Sequence, residues 1–299
     1  MRELNDDRVG LGWRGPLAAN IFTHRDEVEV IELIADDYFR SSRRELRSLR
    51  ALARDIPTLC HGVTLGPASV SPVDVRRVQR LAHIIGAVEP VMWSEHLAFV
   101  RAGGYEIGHL AAPPRNTQTA EGAIRNIEQL RTIVGMPPAL ENIATLIDPP
   151  YSSMTEAHWN RAIAEGTGCP LLLDLHNLYA NCANFGLDPQ TTLRQFMLER
   201  VRIVHLSGGS LLDPPSMGIP GAQRVLDDHC HDVPDVVFDM LTELAERCPN
   251  PLMVIIERDG RYPDFSVLTG QLRQARVALS TGRRLREQLS RRTRELATV

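Results

Sequence analysis

Eight short apolar runs, each followed by a longer segment with helical spacing, organise the chain from end to end. The runs lie at Val9–Trp13, Val28–Ile34, Thr58–Val63, Pro90–Ser94, Ala139–Ile143, Pro170–Leu175, Val201–Leu206 and Leu252–Glu257. Several are apolar almost throughout, the pattern of strands buried on both faces of a parallel sheet. Between them, Arg43–Arg54, Pro72–Gly86, Thr119–Val134, Thr155–Glu165, Pro189–Glu199 and Asp235–Arg247 have the amphipathic spacing of helices. Ser71-Pro72 and Asp188-Pro189 each set a capping side chain before a proline at the first helical position.

Eight strand–helix units within 299 residues predict a (β/α)8 barrel of the TIM type. A doubly wound open sheet would want a glycine-rich phosphate turn after an early strand, and Gly10-Leu11-Gly12 lacks the third glycine. We expect a single barrel domain over 1–282 and a C-terminal Arg-rich helical extension over 283–299. Its arginines, Arg283, Arg284, Arg286, Arg291, Arg292 and Arg294, read as a solvated face. The longest connections, Ala98–Asn116 and Ser207–Val233, are rich in Gly and Pro, and loops of that length are more often functional than idle.

One run changes character abruptly. Cys169-Pro-Leu-Leu-Leu-Asp-Leu-His-Asn177 passes from three leucines into an acid, an imidazole and an amide with no turn residue between. In a parallel barrel the C-terminal ends of the strands meet at one mouth. The other runs end alike: His61 on the third, Ser94-Glu95-His96 on the fourth, Glu141-Asn142 on the fifth, His205 on the seventh and Glu257 on the eighth. Asp227, Asp228, His229, His231 and Asp232 follow in the loop after strand seven.

Each residue alone has a bland explanation. A buried histidine is usually satisfied by one hydrogen bond, Arg258 beside Glu257 suggests an ion pair, and Cys60 suits the core. Six strands ending on ligand-type residues is harder to dismiss, because an unpaired carboxylate at a dry strand end is costly and a metal relieves it. Imidazole and carboxylate donors without thiolate suit iron, manganese or zinc. Some eight candidate donors exceed what one ion accepts, which favours two or three ions with a carboxylate such as Glu141 bridging.

Composition narrows the partners. A net charge of −4 gives no reason to expect nucleic acid or an anionic membrane. No apolar stretch approaches the ~20 residues of a membrane span. Five cysteines without a Cys-x-x-Cys pair, and no secretory segment, lead us to expect the reducing cytoplasm. Every Lys+Arg residue is arginine, so no lysine is available for Schiff-base chemistry.

The strand-end motifs, taken in order, are His61-Gly62-Val63, Ser94-Glu95-His96-Leu97, Glu141-Asn142-Ile143, Asp174-x-His176-Asn177, His205-Leu206-Ser207-Gly208, Asp227-x-His229 and Glu257-Arg258-Asp259. This set resembles the multinuclear non-heme iron-dependent oxidases (MNIO), relatives of the methanobactin-biosynthesis iron oxidase and the peptide-modifying oxidase of 3-thiaglutamate biosynthesis. The resemblance runs from Gly10-Leu11-Gly12-Trp13 to Pro263. It implies two or three irons of mixed Fe(II)/Fe(III) state, with dioxygen as co-substrate, modifying a cysteine of a ribosomally made precursor peptide. It also implies metal ligation by His61, His96, Glu141, Asp174, Asn177, His205, Asp227, His229 and Glu257, with His96, Glu141 and His205 catalytic. Two positions depart from the family pattern: His176 stands where many members have asparagine, and Gly209 where many have histidine.

With the chain nearly used up by the barrel, we expect a separate leader-peptide-binding partner protein. The rival enzymatic readings are a divalent-metal sugar isomerase and an endonuclease-IV-like phosphodiesterase. The first usually needs a lysine near its substrate, and the second a basic DNA-binding face. A non-enzymatic metal- or partner-binding scaffold would leave the surplus of mouth ligands without a structural role.

Overall fold

The computed structural model describes residues 5–102, 104–212 and 223–297. In chain order the strands are β1 (Arg8–Gly12), β2 (Ile31–Ile34), β3 (Thr58–Gly62), β4 (Met92–His96), β5 (Phe99–Ala102), β6 (Tyr105–Ala111), β7 (Ala139–Glu141), β8 (Leu171–Asp174), β9 (Val201–Leu206), β10 (Gly209–Leu212), β11 (Arg224–Asp227) and β12 (Met253–Ile256). The helices are α1 (Ala18–Thr23), α2 (Arg43–Asp55), α3 (Val75–Val88), α4 (Thr117–Val134), α5 (Glu156–Thr167), α6 (Leu175–Phe185), α7 (Pro189–Leu193), α8 (Asp235–Arg247) and α9 (Phe265–Ala297).

The eight apolar runs pair in parallel and close into a barrel in the order β1-β12-β9-β8-β7-β4-β3-β2. Helices cover the outside, so each strand is buried on both faces, as its unbroken apolar character requires. Inside, Val30, Leu59, Ala139, Leu172, Ile203, Met253 and Ile255 form an apolar plug. Register keeps the strand ends level. His96 pairs with Glu141, and Asp174 with His205.

The two long connections each contain an antiparallel hairpin, β5–β6 and β10–β11, which rise beside the mouth. Residue 103 of the first and residues 213–222 of the second lie outside the described residues. Among the described residues no helix is long and apolar enough to cross a membrane.

Several local expectations are corrected. Asp74, not Ser71, caps α3; its side chain accepts from the Arg76 amide, and the helix begins only at Val75. Asp188 does cap α7, accepting from the Thr191 amide, but α7 ends at Leu193 and a 3-10 turn follows at Leu198–Arg200. An additional helix, α6, starts directly from β8, because Asp174 both ends the strand and caps the helix through the Asn177 amide.

The terminal helix α9 runs unbroken from Phe265 to Ala297, through the expected division at 282/283. Arg283 departs from the solvated face. It donates to Asp7 at 2.7 and 2.8 Å and to the Asn250 carbonyl at 2.6 Å, tying the helix to the start of the barrel. Arg284, Arg291, Arg292 and Arg294 are exposed, and residues 298 and 299 lie outside the described residues.

Candidate metal centre

Side chains on a strand alternate, so positions two apart face the same way. Two residues beyond the apolar plug, that rule delivers Glu32 after Val30, His61 after Leu59, Glu141 after Ala139, Asp174 after Leu172, His205 after Ile203 and Glu257 after Ile255. Six polar side chains thus form the next inward layer, at the carboxyl end where barrel chemistry is found. All six are buried.

Glu141 is the hub. Its Oε2 lies 3.4 Å from His61 Nε2 and 3.3 Å from His96 Nε2, while its Oε1 lies 3.2 Å from His205 Nδ1. Two ligand-type groups result, each with its donor atoms within 4.8 Å of one another: His61, His96 and Glu141, and Glu141, Asp174, His205 and Glu257. The first is framed from behind. His61 Nδ1 meets Ser94 Oγ at 2.8 Å, and Glu95 accepts the His96 amide at 3.1 Å.

In the second group, His205 Nδ1 lies 3.1 Å from Glu257 Oε2 and its Nε2 lies 3.0 Å from Glu32 Oε2. Glu32 was not among the residues singled out from sequence, because it sits inside the run Ile31–Ile34 rather than at its end. The parity rule would have found it. Asp174 is held by its backbone: its amide donates to Asn142 Oδ1 and its carbonyl accepts from Asn142 Nδ2, each at 2.9 Å.

Asp227 and His229 fall outside both compact groups, and the Asn177 amide donates to Asp174 Oδ1 at 2.7 Å beside the second. Asn177 Nδ2 donates to the Asn142 carbonyl at 3.1 Å. His229 Nε2 meets Asp227 Oδ2 at 2.8 Å, and its Nδ1 is 3.7 Å from Glu257 Oε2. Further out, Asp228 pairs with His231 at 2.9 Å, and Asp232 pairs with Arg258 at 2.9 Å. Arg258 therefore does not pair with Glu257. It also donates to the carbonyls of Gly260 and Arg261, because strand parity turns it away from its neighbour.

The two family departures meet in space. A Cβ on Gly209 would lie 2.7 Å from His176 Cε1, so the imidazole occupies the room beside the glycine. His176 Nδ1 bonds Asp227 Oδ1 at 2.8 Å, and Ser207 Oγ donates to the same oxygen at 3.1 Å.

The electrostatics fit a cation centre. Burial opposes charge on every group here, yet the histidines hold Glu141 and Glu257 below the ordinary carboxylate range. Burial likewise opposes protonation of His96, but Glu141 and Glu95 push its pKa up to about 9. Burial, reinforced by Asp227, Glu141 and Glu257, drives Asp174 well above its ordinary value. Without a metal, protons must neutralise the cluster. Moreover, Glu141 Oε2, Asp174 Oδ2, Asn177 Oδ1 and His205 Nδ1 are buried without a hydrogen bond of proper geometry. Buried polar atoms are normally satisfied. Glu141, Asp174 and His205 share the second ligand group, and a cation there would satisfy both the lone pairs and the charge. Cys60 lies in the core, where burial pushes its thiol up.

The family model described as RiPP precursor modification enzyme MbnB/TglH/ChrH matches residues 8–280. A UPF0276 protein of Streptomyces avermitilis is 33% identical over 286 residues, a match covering 93% of this chain and 56% of that relative. The chain thus spans little more than half the length of that relative. A UPF0276 protein of Caulobacter vibrioides is 29% identical over 279 residues, covering 93% of this chain and 96% of the relative. Among solved structures, L-ribulose 3-epimerase matches with a TM-score of 0.58 at 15% identity, covering 95% of this chain and 98% of that one. D-psicose 3-epimerase of Clostridium cellulolyticum matches at 0.56 and 13%, covering 93% and 99%. At such identities the likeness is one of fold.

Proposed function

We propose, from the premise that the chain belongs to the family of RiPP precursor modification enzymes MbnB/TglH/ChrH, that it is a multinuclear iron oxidase. Its substrate would be a ribosomally made precursor peptide, modified at cysteine with dioxygen as co-substrate. The observation that carries this reading is the division of Glu141, one oxygen facing His61 and His96 and the other facing His205. A carboxylate so placed is suited to bridge two ions.

His61, His96 and Glu141 would hold one iron, and Glu141, Asp174, His205 and Glu257 a second. Asn177, Asp227 and His229 would complete the shell. When bound, iron would favour the thiolate form of a substrate cysteine and supply one-electron oxidising chemistry with dioxygen. The chain's own part is geometric and electrostatic. The apolar plug closes the barrel below the ligands, and the buried Glu141 and His205 keep bulk water from that side. His96, its side chain 12% exposed, is less deeply buried than His61, Glu141 and His205. Glu95 orients it through its backbone amide. His96, Glu141 and His205 are the residues we assign to catalysis.

We assign leader-peptide recognition to a separate partner protein, a reading that rests on the precursor-peptide substrate of the family. Tagged pull-down with neighbouring gene products tests that part, and complete turnover of precursor by this chain alone would remove it.

The reaction itself is tested by anaerobic loading with ferrous iron, then a cysteine-bearing precursor peptide and oxygen. The expected result is oxygen uptake with a mass change confined to the cysteine. Activity on sugars or phosphodiesters with manganese or zinc, and none on the peptide, would replace this reading by an isomerase or endonuclease-IV-like one.

A further inference from the structure

Two motifs at the ends of the chain's barrel have no role in the scheme above: Gly12-Trp13-Arg14 at the end of β1, and Asp259 after Glu257. In the structure they meet. Arg14 Nε donates to Asp259 Oδ1 at 2.7 Å, and its Nη2 lies 2.6 Å from the same oxygen, although 245 residues separate the pair. The Arg14 side chain is only 13% exposed. Gly12 lets the guanidinium fold back over β1, since a Cβ there would come within 3.1 Å of Arg14 Nη1. Arg14 Nη1 also donates to the Trp13 carbonyl at 3.0 Å, fixing the fork.

The free oxygen of Asp259 is turned to the ligand shell. Oδ2 accepts from His229 Nδ1 at 2.9 Å, and the Asp259 amide donates to the His229 carbonyl at 2.9 Å. His229 needs such support, because its backbone lies in the left-handed region with φ 51. Its other nitrogen, Nε2, faces Asp227. Resting on the proposed ligation by His229, we propose that Arg14 and Asp259 are positioning residues for this histidine. Asp259 holds Nδ1 and the strained backbone so that Nε2 is the metal donor, and Arg14 anchors Asp259. A carboxylate behind a ligating imidazole fixes its tautomer and its ring orientation. Here the anchor comes from the segment just after the first barrel strand and the carboxylate from the segment just after the last, strands that pair with each other, so barrel closure itself sets the ligand.

The test is anaerobic equilibrium dialysis of the full chain against rising ferrous iron, with bound iron per chain and the Mössbauer spectrum as readouts. Asp259→Ala should weaken the His229-dependent site by about 10- to 100-fold and remove its spectral component. Asp259→Asn, which keeps an oxygen acceptor, should lose less, and Arg14→Lys should fall between it and wild type. His229→Ala combined with Asp259→Ala should bind iron no more weakly than His229→Ala alone, since a residue acting through His229 has nothing left to hold. Wild-type iron binding and spectrum in Asp259→Ala, or a further loss in the double variant, would overturn the inference and leave the iron reading standing. Failure of the wild-type chain to bind iron would overturn both. Should Asp259→Ala not fold, Asp259→Asn and Arg14→Lys carry the test, and wild-type binding in both would refute it.

Discussion

Two residues apart on the same strands, the interior of this barrel changes from a dry apolar plug to a layer of acids and imidazoles. Leu59 lies beneath His61, Ala139 beneath Glu141, and Ile203 beneath His205, all in one continuous sheet. Val30, Leu59, Ala139, Leu172, Ile203, Met253 and Ile255 pack together in the lower layer, and each fully buried aliphatic there stabilises the fold by ~1.5–3 kcal/mol. The upper layer does the reverse. Glu32, Glu141, Asp174 and Glu257 are gathered in one dry volume, where mutual repulsion and desolvation oppose folding. One sheet can carry both because stability and ligation sit at separate levels. Damage to either level should therefore leave the other's function intact.

The largest expected effect comes from removing the hub. Glu141→Ala takes away the carboxylate that faces both ligand groups, so metal content should fall by more than half and turnover should be abolished. The affinity loss should exceed the roughly 10- to 100-fold typical of residues one shell further out. The metal-free variant should still show a cooperative melt and wild-type circular dichroism, because the plug is untouched. Full metal loading in this variant would break the separation of levels.

Next is the converse change. Ile203→Ala opens a cavity directly below His205 and should lower unfolding free energy by about 2–5 kcal/mol, read by denaturant titration. Metal bound per folded chain should stay at the wild-type value. If metal is lost in proportion to stability, the two layers are one cooperative unit and the comparison fails.

How much of this was legible in the sequence depends on where each residue sits along its strand. His61, Glu141, Asp174, His205 and Glu257 interrupt apolar runs at their ends, where a change from core to polar is visible. Glu32 was hidden because apolar neighbours flank it on both sides, and only its parity with Val30 gives it away. α6 was hidden because Asp174 serves both as strand end and as helix cap, leaving no loop residues between the two elements. Adjacency left an Arg258–Glu257 ion pair as the bland alternative, and only the fold, which pairs Arg258 with Asp232, removes it. The link from Arg14 through Asp259 to His229 spans 245 residues and leaves no local trace. The barrel itself was legible because eight apolar runs have few other ways to be buried.

The smallest expected effect sharpens the comparison from outside the mouth. Glu156, at the start of α5, is another secluded carboxylate, but no histidine faces it. Its carboxylate accepts a hydrogen bond from Asn181 Nδ2 at 3.1 Å. Burial raises its pKa to about 7, with Arg115 and Asn181 opposing too weakly to reverse the shift. Glu141, more fully buried, is instead held down by three imidazoles. The folded state therefore keeps a proton on Glu156 that the unfolded chain has already lost above its ordinary pKa of 4.5. Stability falls as pH rises from there to about 7 and stays at the lower level above it. Glu156→Gln removes the ionisation while keeping an oxygen for Asn181. At pH 8 it should melt about 2 °C higher than wild type, a shift typical of about 1 kcal/mol in a chain of this size, and at pH 4.5 the two should coincide. Equal melting temperatures at both pH values would mean that Glu156 is ionised without cost. Imidazole neighbours would then not be what distinguishes the carboxylates of the mouth.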